Sequence, residues 1–190
     1  MLIIKKSDQQ SFGTRISDQF FWPEFVAILN VTPDSFSDGG KYTDPEPFVQ
    51  QARQLIHDGA DYLDIGAEST RPLAQPVSLS EEWLRLKFAL DHLEELRKEG
   101  LSFKISLDSR NYDTIQQVVR NYEIDLLNDV SGLSDYKILD IIKEYNLPAV
   151  CMHSLSVPAH KDIVLKMDRN PVEQILDWWV IREKMLTEYS

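Results

Sequence analysis

The sequence predicts an α/β protein with a parallel sheet, specifically a (β/α)8 TIM barrel of which about five βα units are present. Three observations carry that reading. Five short apolar runs, at residues 25–29, 62–65, 103–107, 124–127 and 148–152, are each followed by a longer stretch with helical spacing. The runs are too short for ordinary helices and rich in Ile, Val, Leu and aromatic residues, as strands buried on both faces are. Each run also ends in polar residues: Asn30, then Glu68-Ser69-Thr70-Arg71, Asp108-Ser109-Arg110, Asn128-Asp129 and His153. Polar groups at the C-terminal ends of successive parallel strands converge on one face, where such barrels place their chemistry. An open doubly wound sheet gathers its ligands at one crevice and needs fewer such ends.

The first 24 residues precede the first unit and are expected to form a cap or hairpin, with a turn near Phe12-Gly13-Thr14. Residues 25–190 then form the barrel domain, incomplete at its C-terminus because a whole barrel takes about 250 residues. Asp44-Pro45 opens the first helix, with proline at the first helical position, and Gly59 follows its end. Ser78 and Glu81 have capping-box spacing, and that helix runs to Arg97-Lys98 with Gly100 beyond. Asn111 is expected to cap the third helix and Ser134 the fourth, while Asn170, Pro171 and Glu173 start the fifth. The alternating charges between Glu81 and Lys98 read as a solvated helix face, and Trp178-Trp179 as core or interface.

Composition narrows the function classes. The 190 residues are 43% hydrophobic and 27% charged, enough for one real core. A net charge of −11 with no basic cluster argues against nucleic-acid binding. No apolar stretch approaches the roughly 20 residues of a membrane span, and the first six residues are too short for a signal-peptide core. The single Cys151, set in an apolar run, reads as a buried small hydrophobe, and with no disulfide framework a soluble cytoplasmic protein is expected. His57, His92 and His160 read as surface, and no His/Cys/Asp set has zinc spacing.

The first polar loop reads Ala27-Ile28-Leu29-Asn30-Val31-Thr32-Pro33-Asp34-Ser35-Phe36-Ser37-Asp38-Gly39-Gly40. It is a strand breaking into a loop of turn formers, long enough to fold over a substrate, and Asn30 offers a hard oxygen suited to Mg²⁺. The second reads Gly59-Ala60-Asp61-Tyr62-Leu63-Asp64-Ile65-Gly66-Ala67-Glu68-Ser69-Thr70-Arg71-Pro72. These two segments resemble the first two motifs of dihydropteroate synthases. Ile105-Ser106-Leu107-Asp108-Ser109, Leu127-Asn128-Asp129-Val130-Ser131-Gly132 and Met152-His153 are similar to the family's third, fourth and fifth, in the expected order.

The resemblance implies a transferase that joins dihydropterin pyrophosphate to para-aminobenzoate, the target of sulfonamides. It implies catalytic roles for Asn30, Asp34, Thr70 and Arg71. Asn30 would hold a Mg²⁺ cofactor that neutralises the leaving pyrophosphate, and Thr70 and Arg71 would sit beside the pyrophosphate and aminobenzoate. Asp34, Ser35 and Phe36 with Pro72 would close two loops over the aminobenzoate, while Asp108, Asn128 and Met152 would bind the pterin. The partners implied are these small molecules, with no nucleic acid or membrane, and a homodimer is possible but not supported by this portion. The sequence departs from the family at Leu73, usually glycine, and over residues 154–158. Family members also carry a further Asp, a Lys and an Arg-x-His on later strands. Two alternatives stand beside the synthase: a pterin-dependent methyltransferase, which lacks the first loop motif, and a non-catalytic pterin-binding fragment or paralogue. Asp64 and Asp129 are expected to bond barrel backbone, Glu68 to hold the second loop, and His153 to be structural.

Overall fold

A computed structural model describes residues 3–4, 23–31, 44–68 and 77–189. The apolar runs form strands β2 (Val26–Ile28), β3 (Tyr62–Gly66), β4 (Lys104–Asp108), β5 (Leu126–Asp129) and β6 (Ala149–Cys151), within two residues of expectation. The helices between and after them are α1 (Glu46–His57), α2 (Leu79–Lys98), α3 (Tyr112–Asn121), α4 (Tyr136–Tyr145) and α5 (Pro171–Tyr189). Ahead of these lies β1 (Ile3–Ile4), antiparallel to β6. The expected turn near Gly13 lies outside the described residues.

The five parallel strands are ordered β6-β5-β4-β3-β2, each hydrogen-bonded to its sequence neighbour. Among the described parallel strands that order does not reverse, so they form no switch point of the kind an open doubly wound sheet uses. The architecture is the βα repeat of a (β/α)8 barrel over five units.

Alternation along the strands assigns the two faces. Leu63, Ile65, Ile105, Leu107, Leu127, Ala149 and Cys151 join one cluster with helix residues such as Phe48, Leu86, Leu90, Ile115 and Ile138. The residues between them in sequence face the other way, where Tyr62, Leu126 and Val150 form a second small cluster against Val26. This second face is the barrel interior, and it carries Asn30, Asp64, Asp108 and Asn128 at its upper end.

The caps are partly as expected. Ser78 Oγ accepts from Glu81 N at 3.2 Å, and Asn170 Oδ1 accepts from Val172 N at 2.8 Å. Pro45 is the residue before α1 rather than its first, and Asp44 Oδ1 accepts from Glu46 N at 3.0 Å. Asp135, not Ser134, caps α4 through Lys137 N at 2.9 Å, because Asp135 is the residue with extended backbone at the helix entry. Asn111 precedes α3 but its side chain makes no cap. It points instead at α2.

Helix α2 is not a plain solvated face. Glu82 and Arg85 are buried. Glu82 accepts from Ser109 Oγ at 2.8 Å, Asn111 Nδ2 at 2.7 Å and Thr114 Oγ1 at 2.7 Å. One carboxyl group thereby ties down the β4–α3 connection just past Asp108. Arg85 donates to Glu81 Oε1 at 2.8 Å and to the Ala67 carbonyl at 3.0 Å, fastening the chain beyond β3. His92, read as surface, is half-buried, with Nδ1 2.7 Å from the Phe88 carbonyl and its ring against Phe88. Trp178 and Trp179 pack partly against the helix-side core, as expected.

Candidate active site

The interior face at the C-terminal ends of the strands gathers the polar residues that the sequence singled out. Asn30 follows β2, Asp108 ends β4, Asn128 lies in β5 and Met152 follows β6. Gly66 pairs with Asp108, and Asp108 with Asn128, so the latter two stand side by side in one layer. Gly66 explains how Asn30 and Asp108 come together across β3. A Cβ on Gly66 would lie 2.9 Å from Asn30 Oδ1 and 3.1 Å from Asp108 Oδ2. Both side chains therefore fold over the bare backbone of Gly66, into space that any other residue would fill.

Two residues below Gly66 on the same face, Asp64 is buried and pairs across the strand with Ser106. Ser106 Oγ donates to Asp64 Oδ1 at 2.5 Å, and Asn128 Nδ2 donates to Asp64 Oδ2 at 3.0 Å. The side chain thus bonds side chains rather than barrel backbone, a correction to the expectation. Burial raises its carboxyl above the ordinary range, with the two hydrogen bonds opposing that rise. Asp129 does behave as expected. It accepts from Ser131 N and Leu133 N at 2.7 and 2.9 Å, and also from Ser131 Oγ, holding the turn past β5.

Asp108 is the most perturbed carboxyl of the group. Burial first, and then the charges of Asp64, Asp129, Glu82 and Glu68, push it up to about 7. Among the described residues no group donates a hydrogen bond to it. Such a carboxyl meets a pair of ligand N–H donors in bidentate fashion, and the ligand's donors favour its charged form.

Glu68, expected to hold the second loop, lies 3.4 Å from the Arg110 guanidinium and so bridges the ends of β3 and β4. The His153 ring meets Trp178 edge-on at 4.9 Å. Met152 is 41% exposed. Cys151 is buried, its Sγ 3.3 Å from the Gly132 carbonyl, and burial pushes its thiol up to about 11. It is inert packing, as expected.

Asp34, Ser35, Phe36, Thr70, Arg71 and Pro72 lie outside the described residues. Among the described residues no three His, Cys, Asp or Glu side chains cluster as a metal site, and no helix is long and apolar enough to cross a membrane. Asp64 is the site residue that sequence reasoning passed over. In the sequence it shows only as an acidic residue inside a strand, at the same alternation as Gly66; its partner Ser106 is brought to it by the register of β3 and β4.

A family model described as pterin binding enzyme matches residues 26–189. The chain is 37% identical over 151 residues to the dihydropteroate synthase of Bacillus subtilis, covering 79% of this chain and 51% of that protein. The dihydropteroate synthase of Anaplasma phagocytophilum with bound 6-hydroxymethylpterin-monophosphate superposes with a TM-score of 0.73 at 28% identity, over 88% of this chain and 61% of that one. The Xanthomonas albilineans dihydropteroate synthase with 4-aminobenzoic acid gives 0.71 at 32% identity, over 88% and 57%. This chain thus spans about half the length of the Bacillus subtilis relative. Its matched region holds every strand end described above, and the chain belongs to the pterin-binding enzyme family.

Proposed function

We propose that the chain acts in dihydropteroate synthesis, joining dihydropterin pyrophosphate to para-aminobenzoate with release of pyrophosphate. The observation that carries this is the meeting of Asn30 and Asp108 over Gly66, with Asn128 beside Asp108 in register. One side of that group is an acceptor pair suited to a pterin's ring N–H and exocyclic amine. The other is a neutral oxygen suited to a cation that accompanies a pyrophosphate. Relatives whose names are dihydropteroate synthase, and solved relatives that hold a pterin phosphate or 4-aminobenzoic acid, support the same substrates.

In this reading the pterin lies against Asp108 and Asn128, with Met152 on its ring face. The reaction forms a carbon–nitrogen bond between the arylamine and the pterin methylene carbon as the carbon–oxygen bond to pyrophosphate breaks. The amine nitrogen then releases a proton to water. An arylamine is nucleophilic without a base, so the residues chiefly orient the two substrates and stabilise the departing charge. Thr70 and Arg71 would receive the pyrophosphate and the aminobenzoate, and Asp34, Ser35, Phe36 and Pro72 would close over them.

The residues fit a Mg²⁺ ion. Asn30 would hold it through Oδ1, a hard donor to which no described side chain donates a hydrogen bond. Among the described residues no three His, Cys, Asp or Glu side chains are placed to hold a metal ion together, so the remaining ligands would be substrate oxygens and water, which is how Mg²⁺ commonly binds in phosphate sites. When bound, the ion supplies charge neutralisation of the leaving group.

The test is dihydropteroate formation by the full chain from both substrates with Mg²⁺, alongside fluorescence titration with 6-hydroxymethylpterin monophosphate. Turnover that disappears in Asn30→Ala and Arg71→Ala is the expected result. A second reading is pterin binding without turnover. Binding that is weakened by Asn128→Ala, with no turnover in the parent chain, would select it. Neither binding nor turnover would refute both.

A further inference from the structure

We propose that Asp64 is a positioning residue that holds the Asn128 amide in one orientation and so decides which hydrogen-bonding end a pterin meets. The inference rests on reading Asn128 as a pterin contact and goes beyond it by assigning the group that sets its polarity.

An asparagine amide carries an acceptor and a donor of nearly equal size, and nothing in its own shape distinguishes the two ends. Its orientation is therefore dictated by its neighbours. Here the neighbour is the buried Asp64, whose Oδ2 takes the Asn128 Nδ2 at 3.0 Å. A carboxylate only accepts, so the amide must turn its NH₂ towards β3. Asp64 is itself held. Its other oxygen receives the Ser106 hydroxyl at 2.5 Å, and β3 and β4 are in register at this pair. The hydrogen bonds Ser106–Asp64–Asn128 thus run across three adjacent strands, from the layer beneath Asp108 up to Asn128 in the layer of Asp108 itself. Turning the amide over would set its Oδ1 against a buried carboxylate oxygen, a repulsion in surroundings that screen charge poorly.

With one Nδ2 hydrogen bonded to Asp64 and the amide thereby fixed, Oδ1 is placed to accept, and among the described residues nothing donates to it. Asn128 and its register partner Asp108 then present acceptors side by side, one neutral and one acidic. That pattern favours the donor-rich edge of a pterin over a pteridine with a carbonyl in place of the exocyclic amine. A site built around such hydrogen bonds rejects the analogue that leaves them unmade.

The experiment is a double-mutant cycle on the full chain, read by fluorescence titration with 6-hydroxymethylpterin monophosphate. Asp64→Asn keeps the shape but replaces a group that only accepts by one that can turn either an acceptor or a donor towards Asn128. It is expected to weaken binding about tenfold or more, as Asn128→Ala does, and to cost less than about twofold when added to Asn128→Ala. A purely structural role for Asp64 gives a loss that adds in full to that of Asn128→Ala, and that result overturns the inference. So does Asp64→Asn binding as the parent does. Binding unaffected by Asn128→Ala overturns the pterin reading of Asn128 itself, and this inference with it. If Asp64→Asn does not fold, the parent chain still decides the matter through NMR of its side-chain amides. The Asn128 NH₂ pair, assigned by its loss in Asn128→Ala, should show one downfield, exchange-protected proton before ligand is added. Two averaged, freely exchanging protons would refute a fixed amide.

Discussion

Replacing Asp108 by Asn should make the chain more stable and a worse pterin binder at once. Asp108 is held at about 7 in the folded chain against an ordinary value of 3.8, because it is buried and faces the charges of Asp64, Asp129, Glu82 and Glu68. A carboxyl raised by folding contributes stability that is complete below its unfolded value and is lost as pH rises through its folded one. The loss therefore spans the interval from about pH 4 to about pH 7, and above it the charged side chain strains the native state. At about 1.4 kcal/mol per unit, the difference between the two values amounts to about 4 kcal/mol at pH 8.5 and about 1 to 2 kcal/mol at pH 5. Asparagine matches the shape and does not titrate. Urea unfolding of parent and Asp108→Asn at both pH values measures the difference directly. The variant should be the more stable of the two, with a margin at pH 8.5 that exceeds the margin at pH 5 by about 2 to 3 kcal/mol. Equal margins at the two pH values, or no gain at pH 8.5, would refute the electrostatic account of the site.

Three further outcomes follow from the packing. Gly66→Ala puts a methyl group 2.9 Å from Asn30 Oδ1 and 3.1 Å from Asp108 Oδ2, both side-chain atoms that can move. With Asp108 Cβ also at 3.3 Å, urea unfolding should register a loss of about 1 to 3 kcal/mol, while titration with the pterin monophosphate shows about tenfold weaker binding or worse. Glu82→Ala strands the hydroxyls of Ser109 and Thr114 and the amide of Asn111. It should cost about 3 to 5 kcal/mol in the same unfolding assay, with Glu82→Gln intermediate. Gly132→Ala combines a φ of 73° with a methyl 2.7 Å from the Met152 carbonyl, which is backbone and cannot yield cheaply. A loss of about 2 to 3 kcal/mol is expected from it, seen as a lower thermal midpoint.

The strand–helix repeat was legible because each element carries its own local signal. The β-rich runs are short, the helices begin at Ser78 and Asn170 and end before Gly59 and Gly100, and the polar strand ends fall where a barrel needs them. Asn30, Asp108 and Asn128 were legible for the same reason, since position at a strand end is a property of the sequence alone. What depends on distant partners was not. Glu82 and Arg85 read as surface charges because a helix at i and i+3 looks amphipathic whichever element packs on it. Only the approach of the segment 109–114 and of Ala67 buries them. Asp64 reads as a lone acid inside a strand until β4 and β5 bring Ser106 and Asn128 to its two oxygens. Ser134 and Asp135 are equally good caps by composition, and the choice between them is made by which one takes extended backbone at the start of α4.

The alternation along the strands also has a consequence for how such a protein tolerates change. Leu63, Ile65, Ile105 and Leu107 point to the helices, while Tyr62, Asp64, Gly66, Ser106 and Asp108 point into the barrel, one residue apart on the same two strands. The sheet is thus a partition one backbone thick, with cohesion on one side and recognition on the other. Drift on the helix side can be repaired by a compensating change in a facing helix, and the repair leaves the ligand face as it was. Drift on the barrel side has few neighbours able to compensate. The two halves of each strand therefore answer to separate pressures, and a lineage could exchange nearly all its helix-side residues while its ligand stays the same.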